Sequence, residues 1–177
     1  LFVCILQLYN PLRLDWTGTN KQTQLDLHHV LLSEGVSHAV ITTLAGWIGL
    51  TYGIDLWSGL ELDTLSLPVQ FMVAMLIIDL GLYWQHRCLH ESPLLWKMHR
   101  IHHSIRTLGP TRTGRHHPIS PIITTIIWLS VTGLGLPPLI FVMCQAFAIS
   151  NGLLQHSNSH IRLGKLERVF ASPTFHR

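Results

Sequence analysis

The run LLWKMHRIHHS, from Leu94 to Ser104, places His99, His102 and His103 at positions i, i+3 and i+4. On a helix that spacing brings three imidazoles to one face. A lone buried histidine needs one hydrogen-bond partner, whereas three together must each be satisfied, charged or bound. The pattern recurs along the chain. His86 and His90 form an i, i+4 pair in HRCLH, His156 and His160 form another in HSNSH, and His176 stands one residue before the end of the sequence. Eight rings in such groups need many partners at once. Metal ions supply them, imidazole being the commonest metal-ligating side chain. His28, His29 and His38 belong to no group and read as structural.

The donor set narrows the choice of metal. A zinc peptidase carries H-E-x-x-H with the glutamate as general base, but Arg87 occupies that position here. A closed structural zinc takes four ligands, too few for this set. Carboxylate di-iron bundles use E-x-x-H pairs, which the sequence lacks. Cys4, Cys88 and Cys144 are far apart and form no CxxC pair, so neither a disulfide framework nor a thiolate zinc site is expected. Imidazole suits iron, and a nitrogen-rich site for two iron ions is the best chemical fit.

The elements that must position these rings are apolar. The 177 residues are 47% hydrophobic and only 12% charged, against about 25% in soluble domains. From His116 to Ile161 there is no Asp, Glu, Lys or Arg. The apolar part, Ile119 to Leu154, exceeds one span of about 20 residues and reads as two short ones, turning at GLGLPP, residues 133–138. Val36 to Gly53 and Leu67 to Trp84 read as two further spans, and Leu1 to Tyr9 as the tail of another helix. The fold class expected is therefore all-α: a single membrane helical bundle of about four spans over residues 1–177.

Charge orients the bundle. Arg87, Lys97, Arg100, Arg106, Arg112 and Arg115 flank the first two histidine groups, with Glu91 the one acid between Gln85 and Pro118. Arg162, Lys165, Arg168 and Arg177 follow His156, again with one acid, Glu167. The loop between the first two spans carries Asp55, Glu61 and Asp63 and no base. The positive-inside tendency then puts every histidine group in one cytosolic cap. Nucleic acid is not an expected partner, since no basic amphipathic helix or aromatic-basic platform occurs.

DLGLYWQHRCLH (79–90), LWKMHRIHHS (95–104), Arg115-His-His117-Pro118, LLQHSNSHIRL (153–163) and SPTFHR (172–177) together resemble the fatty acid hydroxylase/sterol desaturase superfamily. Its members are integral membrane di-iron oxygenases with ordered HxxxH and HxxHH boxes. The resemblance implies that His86, His90, His99, His102, His103, His156, His160 and His176 ligate iron. His117 matches the histidine of the family's RxHP pattern, and His116 reads as its neighbour. The family's fourth box carries two more histidines, so the native chain is expected to continue past Arg177, and the sequence is expected to be incomplete at its front as well. Asp79, two turns before His86, and Asn158 are expected to orient ligand rings from behind. Trp84 and Trp96 are expected to anchor helices at the membrane interface.

The implied activity is O2-dependent hydroxylation or desaturation of an unactivated C–H in a membrane lipid. No acid–base side chain attacks such a bond, so the metal carries the chemistry. Electrons are expected from a separate donor, such as cytochrome b5 or ferredoxin with its reductase, because the sequence has neither a dinucleotide fingerprint nor a cysteine cluster. A metal transporter is the rival reading and would place its ligands near the bilayer midplane; a haem-binding subunit would set paired histidines within facing helices. A non-catalytic relative is the third alternative.

Overall fold

A computed structural model describes residues 2–16, 20–40, 43, 44, 47, 62–105, 107–132, 134, 136–168, 172 and 173. Regular structure among them is helical. One antiparallel bridge, Pro11 to Ser159, is the nearest approach to a sheet among the described residues. Helix α1 covers Phe2–Tyr9 and α2 covers Asn20–His29, the latter running into a π-helical stretch, Val30–Gly35. Then follow α3 (Leu67–Glu91), α4 (Pro93–His103), α5 (Ile119–Thr132) and α6 (Pro138–Gln155).

Helix α3 is the spine of the molecule. Its 25 residues span about 37 Å, more than the hydrocarbon core of a bilayer. It packs on α4, α5 and α6. Ala74 and Ile78 on its inner face meet Trp128, Val131, Leu134, Ile140 and Cys144 from the α5–α6 hairpin, and these form the buried core. Gly81 sits where α3 and α5 approach most closely: a Cβ there would lie 2.7 Å from Ile127 Cγ2. Small residues at such crossings let helix backbones approach.

The outer faces are apolar too. Met72, Leu76, Leu80 and Tyr83 line one side of α3 and are exposed, as are Leu139, Val142, Met143 and Ile149 on α6. Only 17% and 11% of the residues along the apolar stretches of these two helices are buried. A core helix of a soluble protein would be covered, whereas these two are largely uncovered along their apolar length. Two helices, α3 and α6, are thus long and apolar enough to cross a membrane.

The expected four spans are reached only in part. Helix α5 has 14 residues, about 21 Å, and begins directly after Pro118. The span expected from Val36 to Gly53 is helical over 36–40 and otherwise falls mostly outside the described residues. Most of the acidic loop before α3 lies outside them as well.

Candidate metal centre

One residue joins α3 to α4. Pro93 cannot continue α3 and holds the preceding residue extended, with Ser92 at φ −85° and ψ 120°. The Ser92 N–H closes α3 on the Cys88 carbonyl at 3.0 Å, while its Oγ accepts the Leu95 N–H at 3.5 Å to open α4. This joint folds the last turn of α3, with His86 and His90, against the last turns of α4, with His99 and His103.

Four Nε2 or Nδ1 atoms from these residues lie within 4.8 Å of one another. The Nε2 atoms of His86 and His90 are 3.1 Å apart, as are those of His99 and His103. Two nitrogens at right angles on one ion, each about 2.1 Å from it, are about 3 Å apart. The pairs are therefore spaced as neighbouring ligands. His99 is buried, while His86, His90 and His103 are exposed, so the cluster is open on one side. Trp96 closes another side, with its ring 5.2 Å from that of His90 and 5.5 Å from that of His103.

A second group adjoins the first. His156 Nε2 is 3.2 Å from His102 Nε2, and the His116 ring stacks on that of His102 at 4.6 Å. His156 Nδ1 donates to the Gly152 carbonyl at 2.8 Å. That bond puts the ring proton on Nδ1 and leaves the Nε2 lone pair facing His102, the arrangement a metal-ligating histidine requires.

Burial favours the neutral form of five of these rings. Burial first, then repulsion from His86, His103 and His90, lowers the His99 pKa from 6.5 to about 3. Burial lowers that of His116 to about 4, against a hydrogen bond to the Thr113 backbone that raises it. His102, His103 and His156 are lowered by burial as well. Neutral imidazoles keep the lone pairs that divalent metals need. His99 Nδ1 and His102 Nδ1 are buried without a hydrogen-bond partner, so the rings are not fully satisfied by one another. The donor set fits a transition metal.

These shifts give a pH dependence with a definite sign. Above pH 6.5 both folded and unfolded chains carry neutral rings. Below it the unfolded chain takes up protons that the folded chain refuses until the pH approaches 3 to 4, so stability falls across that window. Thermal unfolding of the metal-free protein in detergent should be level from pH 7 to 8 and move to lower temperature from about pH 6 downward. An unchanged midpoint at pH 4.5 would contradict neutral burial.

The fatty acid hydroxylase family model matches residues 71–177, more than half of the chain, and covers both groups of rings. The chain belongs to the fatty acid hydroxylase family. Among curated relatives of this hydroxylase-family chain, an ornithine lipid hydroxylase of Rhizobium tropici is 29% identical over 99% of the chain and 56% of its own length. The human alkylglycerol monooxygenase is 29% identical over 82% of the chain and 33% of its own length. A Delta(7)-sterol 5(6)-desaturase of Gibberella zeae is 27% identical over 68% of the chain and 35% of its own length. The chain thus spans about half the length of the first relative and about a third of the others. No solved structure matches it.

Not every expected site residue of the hydroxylase-family chain joins the rings. His160 is exposed, and its main chain bonds to Asn10. His117 Nδ1 accepts the Ile119 N–H at 3.4 Å, capping α5 outside the stacked group. His176 lies outside the described residues. Asp79 is exposed on α3 with no hydrogen bond to a histidine among the described residues, and seven residues of helix put it about 10 Å down the axis from His86. Asn158 bonds to the main chain of Arg13 instead of a ring, because an irregular segment needs its polar groups satisfied first.

Other residues enter in roles the sequence does not assign them. His116 stacks in the site, and Trp96 borders it in place of the expected interface anchor. Asp26, fully buried, accepts from Arg115 Nε at 2.7 Å, from Arg115 Nη2 and from Thr111 Oγ1 at 3.0 Å. The doubled histidine after Arg115 is the one available signal for His116. Nothing local marks Asp26, whose partners are more than eighty residues away.

Proposed function

We propose that this chain is the core of an integral-membrane lipid oxygenase that uses two iron ions and O2 to hydroxylate or desaturate an unactivated C–H. The observation that carries this reading is the convergence of four imidazoles at the end of a helix whose outer face is apolar and uncovered. The first ion takes His86, His90, His99 and His103. The second takes His102 and His156, with His117, His160 and His176 as further donors by family resemblance. Bound iron would activate O2, the oxidant that breaks the C–H bond, a chemistry no side chain here offers.

The chain's own residues do the rest. Ser92 and Pro93 set the angle between the two halves of the first site, and the Gly152 carbonyl fixes the tautomer of His156. Trp96 shields the rings of His90 and His103 from water on one side. The named relatives act on an ornithine lipid, an alkylglycerol and a sterol, all with substantial hydrocarbon. A lipid reaching the cap along the apolar faces of α3 and α6 is the matching substrate, and electrons come from a separate protein donor. Iron analysis of the full-length protein, with O2 uptake and mass spectrometry of the lipid products, tests the reading. Two irons and a hydroxylated or desaturated lipid are expected; an iron-free protein that consumes no O2 would overturn it.

The cap is proposed to face the cytosol. In a cysteine-free background, single cysteines at Ser58 and Ser104 in sealed vesicles should react with a membrane-impermeant maleimide from opposite sides. Reaction of both from one side would exclude this arrangement.

A further inference from the structure

The two groups of rings are held in different ways. His86, His90, His99 and His103 sit on regular helices, and α3, the Ser92 joint and α4 are enough to place them. In the second group His102 rides on α4, but its two partners come from chain without such support. His116 lies in the loop before α5, His156 caps the end of α6, and residues 157–160 are irregular. Yet Ser157, Asn158 and Ser159 are buried. Buried irregular backbone must find partners for its N–H and C=O groups.

Those partners are at the other end of the chain. Leu12 N–H donates to the Asn158 carbonyl at 3.1 Å, and His160 N–H to the Asn10 carbonyl at 3.0 Å. Arg13 N–H donates to Asn158 Oδ1 at 3.0 Å, and Asn158 Nδ2 returns a bond to the Arg13 carbonyl at 2.7 Å. Asn158 N–H reaches Gln7 Oε1 at 3.4 Å, and Asn10 Nδ2 reaches the His160 carbonyl at 3.3 Å. Further along, α2 grips the loop that bears His116. Asp26 holds Arg115 and Thr111, Arg112 Nη2 donates to Gln22 Oε1 at 3.2 Å, and Gly114 packs so tightly on Val30 that a Cβ would not fit.

We propose that residues 7–16 and 20–30 form a strap, anchored on Asn158 and on Arg115, that positions His116 and His156 beside the helix-borne His102 independently of the four-imidazole cluster, with Asn158 and Asp26 as its positioning residues. Its consequence for metal binding rests on the two-ion reading above. Loosening the strap releases the second ion and leaves the first in place. An edge that only covers the fold would, when loosened, weaken both sites together.

Two variants of the full-length protein test this. Asn158→Ala removes the side-chain anchor. Leu12→Pro removes one N–H donor from the strap without touching a histidine segment, and serves if the first variant fails to fold. Hydrogen–deuterium exchange of the metal-free protein should rise about tenfold over residues 156–163 in either variant, with residues 86–103 unchanged. Titration with cobalt(II), followed by its visible absorption, should show one of two ions bound about tenfold more weakly and the other unaffected. Equal loosening of both regions, or none, overturns the strap. If the unaltered protein takes one cobalt only, the two-ion reading fails, while the exchange pattern still decides the strap.

Discussion

Replacing His99 with alanine should abolish metal binding at the four-imidazole cluster and, with it, all lipid oxidation. His99 is the buried member of the four, and its ring lies 4.9 Å from those of His86 and His90 and 4.8 Å from that of His103. Losing an outer-sphere partner of a ligand already costs about 10- to 100-fold in affinity, so loss of the innermost ligand should cost at least the upper figure. Iron content after purification and turnover of the lipid are the readouts. His28→Ala is the control: its exposed ring donates from Nδ1 to the Gln24 carbonyl at 2.7 Å, away from both groups, and iron and activity should stay at the parent level. Normal iron in His99→Ala would refute the assignment.

The second large effect is on stability. Asp26→Ala should destabilise the fold by about 3–5 kcal/mol, because it strands the Arg115 guanidinium, itself 14% exposed, beside no counter-charge. Thr111→Val removes one neutral partner of the same carboxylate and should cost about 1 kcal/mol. Denaturation in detergent micelles measures both. The ratio matters more than either value: similar losses would mean that the carboxylate works as a hydrogen-bond acceptor, with its charge of little account. Surface pairs give a useful contrast. Arg13–Asp15 and Arg87–Glu91 are open to solvent on both sides, and such pairs contribute little.

The range of each interaction decides how much of the fold and the site is legible in the sequence. HRCLH and HRIHH lie on regular helices, where spacing alone fixes which rings share a face. The pairing of their rings can be read from the residue order. So can the break between α3 and α4 at Pro93, since proline acts on its own backbone. Asn158 is misread from sequence because its chemistry depends on Arg13, far away along the chain and close in space. The same holds for Asp26 and for the stacking of His116 on His102. The bounds of α5, Ile119–Thr132, agree with the first of the two short spans read between Ile119 and Leu154.

The single-residue joint at Ser92 has a consequence for how the gene can vary. Each residue added to a helix turns everything beyond it by about 100° and advances it by about 1.5 Å. One codon inserted or lost between His90 and His99 would swing His99 and His103 away from His86 and His90, although every histidine would still be present. Point substitution of most residues between them leaves the register untouched. This stretch of the gene is therefore far more sensitive to its reading length than to its spelling.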